Sequence, residues 1–126
     1  MKAAAAAAAT SVFAVELHSP DFTFPADLAA YTRKKLVTKL ARFGHRLLSV
    51  IVRLKDLNGP KGGEGIECRM EALLAGMEPV NVEERDHDLR AAIDASIDRV
   101  ELTVQRHVDR ARALPRSQKR RLAREL

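Results

Sequence analysis

The stretch LSVIVRLKDLNGPKGGEGIECRMEALL, residues 48–74, decides the fold. Its apolar residues take alternate positions on either side of a central NGPKGG segment: Val50, Val52 and Leu54, then Ile66, Cys68, Met70 and Ala72. A period of two is typical of a strand with one buried face. The Gly and Pro residues between the two halves predict a turn or loop. The stretch therefore predicts two neighbouring strands joined by a hairpin loop.

Two further strands are predicted upstream and downstream of this pair. VNVEE, residues 80–84, follows a short turn and completes a three-stranded meander. Upstream, SVFAVELHS, residues 11–19, alternates Phe13, Val15 and Leu17 with other residues. This alternation predicts a first strand that has one face in the core.

Two segments repeat apolar residues at spacings of three and four, which is typical of amphipathic helices. The first runs from residue 26 to about 43, and Gly44 follows it as a stop signal. The last runs from about 88 to 113, with Asp86 or Asp88 available as its N-cap. The apolar stripes consist of Leu28, Thr32, Leu36, Leu40 and Phe43 in the first helix and of Leu89, Ile93, Ile97, Val100, Val104, Val108 and Ala111 in the last.

The order of these elements, β-α-β-β-β-α, predicts an α+β fold. The first helix should be a crossover that joins two parallel strands. A four-stranded sheet with both helices packed on one face buries both stripes and leaves the outer helix faces to solvent or to a partner. We expect this domain to span residues 11–114, between a disordered Ala-rich arm, residues 1–10, and a basic tail, residues 115–126. A secretion signal is the alternative interpretation of the arm.

The net charge of +5 does not come from the predicted domain. Residues 11–114 contain 16 Lys or Arg and 16 Asp or Glu, so the excess lies on Lys2 and on the tail PRSQKRRLAREL. Net charge alone therefore does not make the domain bind polyanions, and only a segregation of its charges could. The one cysteine, Cys68, fits a reducing cytoplasm. No apolar run approaches the roughly 20 residues that span a bilayer, so no membrane partner is expected.

The charges of the last helix are sorted by side. A helix turns about 100° per residue, so each side chain has a direction relative to the apolar stripe. One flank carries Arg99, Arg106 and Arg110, and the opposite flank carries Asp94, Asp98, Glu101 and Asp109. The acids and bases of DRVELTVQRHVDRAR, residues 98–112, are therefore segregated.

The first helix is more strongly basic, because it contains no acid between Asp27 and Gly44. Its outward face carries Tyr31, Lys34, Lys35, Thr38 and Arg42, with Lys39 and Arg46 at the border of the stripe. If the two helices lie side by side, these rows form one basic surface, as expected of a protein that binds a phosphate backbone. The alternative is an ordinary solvated surface. The pattern alone leaves both interpretations open.

Two segments carry a resemblance to a known family. RFGHRLLSVIVRLKDLNGPKGGEGIECRMEA, residues 42–72, and VNVEERDHDLRAAIDASIDRVELTVQRHVDR, residues 80–110, resemble the ribosome hibernation promoting factors. This family is also described as ribosome-associated inhibitors or sigma-54 modulation proteins. DLRAAIDASIDRV, residues 88–100, carries the resemblance most clearly. The chain departs from the pattern at Arg90, where relatives often have an aromatic residue, and at Leu102, where they often have a base.

The resemblance implies a domain similar to a double-stranded-RNA-binding domain. Its members sit in the channel of the small ribosomal subunit, where messenger and transfer RNA bind, and silence idle ribosomes as a stress response. It also implies the short form, without the C-terminal domain that pairs ribosomes. The positions that match the family's RNA-binding residues are Lys34, Lys35, Lys39, Arg42, Arg99, Arg106 and Arg110.

Enzyme chemistry is not expected from this sequence. The histidines, at positions 18, 45, 87 and 107, lack metal-ligand spacing, and a single cysteine makes a zinc site unfavourable. The carboxylates of EERDHD, residues 83–88, are expected to cap the last helix. We therefore expect no catalytic residue, cofactor, metal or small-molecule substrate. Two alternatives to ribosome binding remain: a protein-binding regulator of transcription, and a small enzyme that uses His87.

Overall fold

The computed structural model describes residues 13–57 and 65–113. Their elements are β1 (Ala14–His18), α1 (Ala26–Leu40), a 3₁₀ turn (Ala41–Phe43), β2 (Leu47–Asp56), β3 (Ile66–Leu74), β4 (Val80–Asp86) and α2 (Leu89–Ala113). This order confirms the predicted β-α-β-β-β-α arrangement and the α+β fold class.

The four strands form one mixed sheet in the order β1-β2-β3-β4. β1 pairs in parallel with β2, where Val15 lies opposite Val50. β2, β3 and β4 form the predicted antiparallel meander, with Val52 opposite Met70 and Met70 opposite Val82. The first helix is therefore a crossover between parallel strands, as its position in the sequence predicts.

Both helices pack against the same face of the sheet and share one hydrophobic core. α1 contributes Leu36 and Leu40, and α2 contributes Ile93, Ile97 and Val100, all of them fully buried. The sheet contributes the alternating residues of β2 and β3 that the opening stretch predicts. Truncation of one such Leu or Ile to Ala costs about 2–5 kcal/mol, so this contact fixes the positions of both helices.

The start of α2 is held by Asp88. Its carboxylate accepts a hydrogen bond from the backbone N–H of Ala91 at 3.1 Å, which is an N-cap bond. Asp86 in turn accepts a hydrogen bond from the backbone N–H of Asp88 at 2.9 Å. Of the two predicted candidates, Asp88 is therefore the N-cap.

The end of the first helical segment is marked by the predicted glycine. The α-helix ends at Leu40 and tightens into the 3₁₀ turn, and Gly44 closes that turn with φ −54°. Gly44 therefore follows the helical segment, as predicted, and has a right-handed conformation. The chain leaves the helix by tightening, because the buried Phe43 continues the apolar stripe to this point.

Both terminal segments fall outside the described residues. The Ala-rich arm, residues 1–10, and the basic tail, residues 115–126, remain predictions, as do the domain limits of 11 and 114. Among the described residues, neither helix is long and apolar enough to cross a membrane.

Candidate nucleic-acid interface

The helices α1 and α2 lie side by side and run in the same direction. In the second half of α1 Lys35 contacts Asp94 near the start of α2, and just beyond the end of α1 Arg42 contacts Glu101 and Gln105 further along α2. From the first contact to the second, the residue numbers increase on both helices, so the helices are parallel. Their outer faces consequently form one two-helix surface on the side of the core away from the sheet.

The acidic flank of α2 is the flank that faces α1. The Nζ atom of Lys35 lies 2.8 Å from a carboxylate oxygen of Asp94, and that of Lys39 lies 3.9 Å from Asp98 and 3.8 Å from Glu101. The expectation of one basic surface formed by both helices is therefore wrong. A row of acids, named here the acidic seam and consisting of Asp94, Asp98 and Glu101, separates the two basic rows.

Tyr31 anchors the N-terminal end of this seam. Its hydroxyl donates to Asp94 at 2.5 Å, and Lys35 donates to the same carboxylate oxygen. Burial raises the pKa of the Asp94 carboxyl, but hydrogen bonds from Lys35 and Tyr31 outweigh it and hold that pKa below its ordinary value. The hydrogen bond to Asp94 raises the pKa of Lys35. Both groups are thus charged at neutral pH.

Arg90 covers the outer side of Tyr31. Its guanidinium lies 4.2 Å from the centre of the tyrosine ring, a cation–π contact worth about 0.5–1 kcal/mol at an exposed site. Arg90 is one of the two positions at which the sequence departs from the pattern that the resemblance implies. Here it supplies a planar, stacked group, and it was not predicted as part of the site because the stacking partner lies on the other helix.

Arg42 closes the C-terminal end of the seam. It donates through Nη1 to Glu101 at 2.9 Å, and through Nε and Nη2 to the side-chain oxygen of Gln105 at 3.2 and 3.0 Å. Its guanidinium also lies 4.4 Å from the centre of the Phe43 ring. Arg42 is therefore held in one orientation while half of its side chain stays exposed.

The far flank of α2 carries the second basic row. Arg99 is paired with Glu84 of β4 at 2.7 Å. Arg106 and Arg110, about two and three turns further on, are exposed and form no ion pair with another described residue. Lys34 on α1 is exposed in the same way. Of the seven predicted RNA-binding residues, three are thus unpaired in this part of the chain and four already have an acidic partner.

Arg112 also belongs to this end of α2 but was not predicted. It lies in the last turn of the helix, is exposed, and has no acidic partner within the described ranges. Its side chain points to a different side of the helix from those of Arg106 and Arg110, so it does not belong to the row that the sequence pattern indicates. A cation in the last turn of a helix is also favoured by the helix dipole, which gives it a second physical role.

The opposite face of the sheet is charged but balanced. Arg69 lies 3.0 Å from Glu67 and 3.4 Å from Glu83, and Arg85 lies within 4 Å of the same two acids. Arg53 lies directly opposite Arg69 in the register and has no acidic partner in the described residues. Arg69 and Arg85 on this face are therefore already paired with acids.

Two side chains that could take part in enzyme chemistry, Cys68 and His87, differ in their surroundings. Cys68 is fully buried, and burial raises the pKa of its thiol to about 11, so it is not a thiolate at neutral pH. His87 is exposed and stands between the two acids that order the start of α2. In the described ranges no three His, Cys, Asp or Glu side chains are grouped so as to hold a metal ion.

Residues 15–112 match the model of the family described as sigma 54 modulation protein / S30EA ribosomal protein. The chain belongs to this family. A solved relative is the N-terminal domain of Protein Y from Thermus thermophilus, with 32% identity and a TM-score of 0.59 over 72% of this chain and 93% of that one. A ribosomal subunit interface protein from Coxiella burnetii, 13% identical, has the same fold with a TM-score of 0.61 over 75% of this chain and 97% of the other. None of the curated proteins compared with the chain matches it.

The family match includes the whole two-helix surface. All seven predicted cations and the acidic seam lie between residues 15 and 112. The relation to the Thermus protein is close enough to confirm the family, whereas the relation to the Coxiella protein is informative about the fold alone. That the seven cations contact RNA remains a prediction.

Proposed function

We propose that the protein binds the small ribosomal subunit through the outer faces of α1 and α2, occupies the channel of messenger and transfer RNA, and silences idle ribosomes in the cytoplasm. Membership in a family of ribosome-associated proteins, which is not a known enzyme family, supports this role. The observation that carries it is the exposed cation set Lys34, Arg106 and Arg110, which lacks acidic partners in the described residues.

The unpaired cations would contact phosphates first, because they lose no ion pair when they do so. The paired cations can follow, since an exposed ion pair contributes only about 0–1 kcal/mol and arginine binds phosphate through two parallel hydrogen bonds. Arg42 is suited to this exchange, because Gln105 and Phe43 already fix the plane of its guanidinium. Each phosphate that is neutralised also releases counterions.

A competition experiment tests the proposal. Purified protein should bind isolated small subunits, inhibit translation in a reconstituted system and displace initiator transfer RNA from the small subunit. Its affinity should fall with salt, with each neutralised phosphate contributing about −0.7 to −0.9 to the slope of log K against log salt. Strong binding that leaves initiator transfer RNA in place would contradict the channel location, and a flat salt response would contradict the helical surface.

A protein-binding role in transcription is the second candidate, because the family description includes sigma 54 modulation. It predicts a different partner for the same surface. Binding to isolated sigma-54 that is tighter than binding to small subunits, at the same salt concentration, would favour it over the ribosomal role.

A further inference from the structure

The acidic seam lies within the surface that we propose to bind RNA, yet carboxylates repel phosphates. Asp98 and Glu101 are directed at Lys39 and Arg42, two of the seven predicted RNA-binding residues. The side chain of Asp98 is 65% exposed, so its charge also faces any polyanion that approaches the helices. A surface that only maximised RNA affinity would not carry acids at these positions.

Glu101 accepts a close hydrogen bond from Arg42 at 2.9 Å, but the pairs made by Lys39 do not have the geometry of a purely structural contact. Lys39 lies 3.9 Å from Asp98 and 3.8 Å from Glu101, at the outer limit of an ion pair and between two acceptors. Exposed pairs of this kind contribute little to folding stability. The core beneath them, which includes the fully buried Leu40 and Val100, holds the helices together independently of these charges.

We propose that Asp98 and Glu101 make the helical surface selective, by lowering its affinity for RNA whose phosphates do not match the positions of the unpaired cations. This inference rests on the proposed function and deepens it. Specificity is a difference between two affinities, and it can be gained by weakening the wrong complex. An RNA of arbitrary shape that lies along the seam places phosphates against carboxylates, whereas a matching RNA places its phosphates on Lys34, Arg106 and Arg110, on either side of the seam.

The test variant is Asp98→Asn with Glu101→Gln, which removes both charges and keeps the shape of each side chain and one of its two acceptor oxygens. Glu16→Gln with Glu71→Gln is the matched control, because it changes the net charge equally on the opposite face of the sheet. The binding probes are polyuridylate, a duplex RNA of arbitrary sequence and isolated small subunits, all at the same salt concentration. Thermal unfolding of each variant serves as the stability control.

The seam variant should bind polyuridylate and the duplex about tenfold more tightly than the wild type, with a salt slope steeper by up to about two units, as Lys39 and Arg42 become available. Its affinity for small subunits should change by only about threefold, so that the ratio of the two affinities falls. The control pair should raise RNA affinity by less than about twofold, because distant exposed charges are screened. The melting temperature of the seam variant should stay close to that of the wild type.

Three outcomes would overturn the proposal. Equal gains in RNA affinity for the seam variant and the control variant would mean that only net charge determines RNA affinity. Equal gains for arbitrary RNA and small subunits would mean that the seam weakens binding without discrimination. A large loss of thermal stability without a gain in RNA affinity would make the seam structural. A wild-type protein that does not prefer small subunits would contradict the proposed function, while the comparison of the two variants on polyuridylate would still decide whether the seam masks its neighbouring cations.

Discussion

Arg106 and Arg110 differ from Arg99 in what they already contact. Arg99 is paired with Glu84 at 2.7 Å, so an RNA phosphate must displace a carboxylate to reach it. Arg106 and Arg110 have no acidic partner within the described residues and can bind phosphate without that exchange. The sequence places all three on one flank and does not distinguish them, because the partner of Arg99 lies on a strand that is 15 positions away.

Replacing Arg106 and Arg110 together by Gln should lower small-subunit affinity by about tenfold or more and reduce the salt slope by up to about 1.4–1.8 units, if each meets one phosphate. Folding should be unaffected, because both side chains are exposed. The matched control is Arg53→Gln with Lys55→Gln, which removes two unpaired cations from the opposite face of the sheet and should change the affinity by less than about threefold. Equal losses in the two double variants would indicate that total charge, and not the helical surface, determines binding.

At the scale of elements, the sequence predicts where the helices and strands lie along the chain, but it does not predict which sides of the two helices contact each other. Periods of two and of three to four locate β2, β3 and α2, because each pattern depends only on residues within one element. The flank of α2 that meets α1 depends instead on how the two helices are placed on the sheet. The charges of Asp98 and Glu101 were therefore assigned correctly to one flank, while their contacts with Lys39 and Arg42 were not predicted. Tyr31 was predicted to lie on the outward face of α1, but its hydroxyl donates a hydrogen bond to Asp94 on α2.

The junction of Tyr31, Lys35 and Asp94 should make stability depend on pH. The pKa of Asp94 is lowered in the folded protein, so its contribution to the free energy of unfolding is fully present above its ordinary pKa of 3.8 and is lost as the pH falls through the lower folded value. Urea unfolding should show Asp94→Asn to be less stable than the wild type at neutral pH, with the difference shrinking in strong acid.

The control for this experiment is Asp109→Asn, since Asp109 is exposed and accepts a hydrogen bond from Gln105. It removes a carboxylate from the same helix without touching the junction and should shift stability little at either pH. A difference between Asp94→Asn and the wild type that is the same in acid as at neutral pH would show that the charge of Asp94 does not stabilise the junction.

At the scale of the whole molecule, the excess positive charge and the proposed binding surface are separate. The segment 11–114 is neutral and carries the two-helix surface, whereas the excess charge lies on Lys2 and the tail. We expect a fragment of residues 11–114 to fold with a melting temperature close to that of the full chain. It should also keep most of its affinity for small subunits while losing affinity for polyuridylate, since diffuse charge mainly supports non-specific binding. A fragment that folds but no longer binds small subunits would assign specific binding to the segments outside residues 11–114.

Because α1 and α2 are parallel, the charges at their ends give the domain an electric dipole. Asp27 lies in the first turn of α1 and Asp88 caps α2, while Lys39, Arg110 and Arg112 lie in the last turns. Antiparallel helices would place these groups at both ends, but here both helix N-termini, with Asp27 and Asp88, lie at one end of the two-helix surface and Arg110 and Arg112 lie at the other. The segment 11–114 has no net charge but can therefore still experience a torque near a polyanion, so it should turn the end with Arg110 and Arg112 forward during diffusion and arrive already oriented.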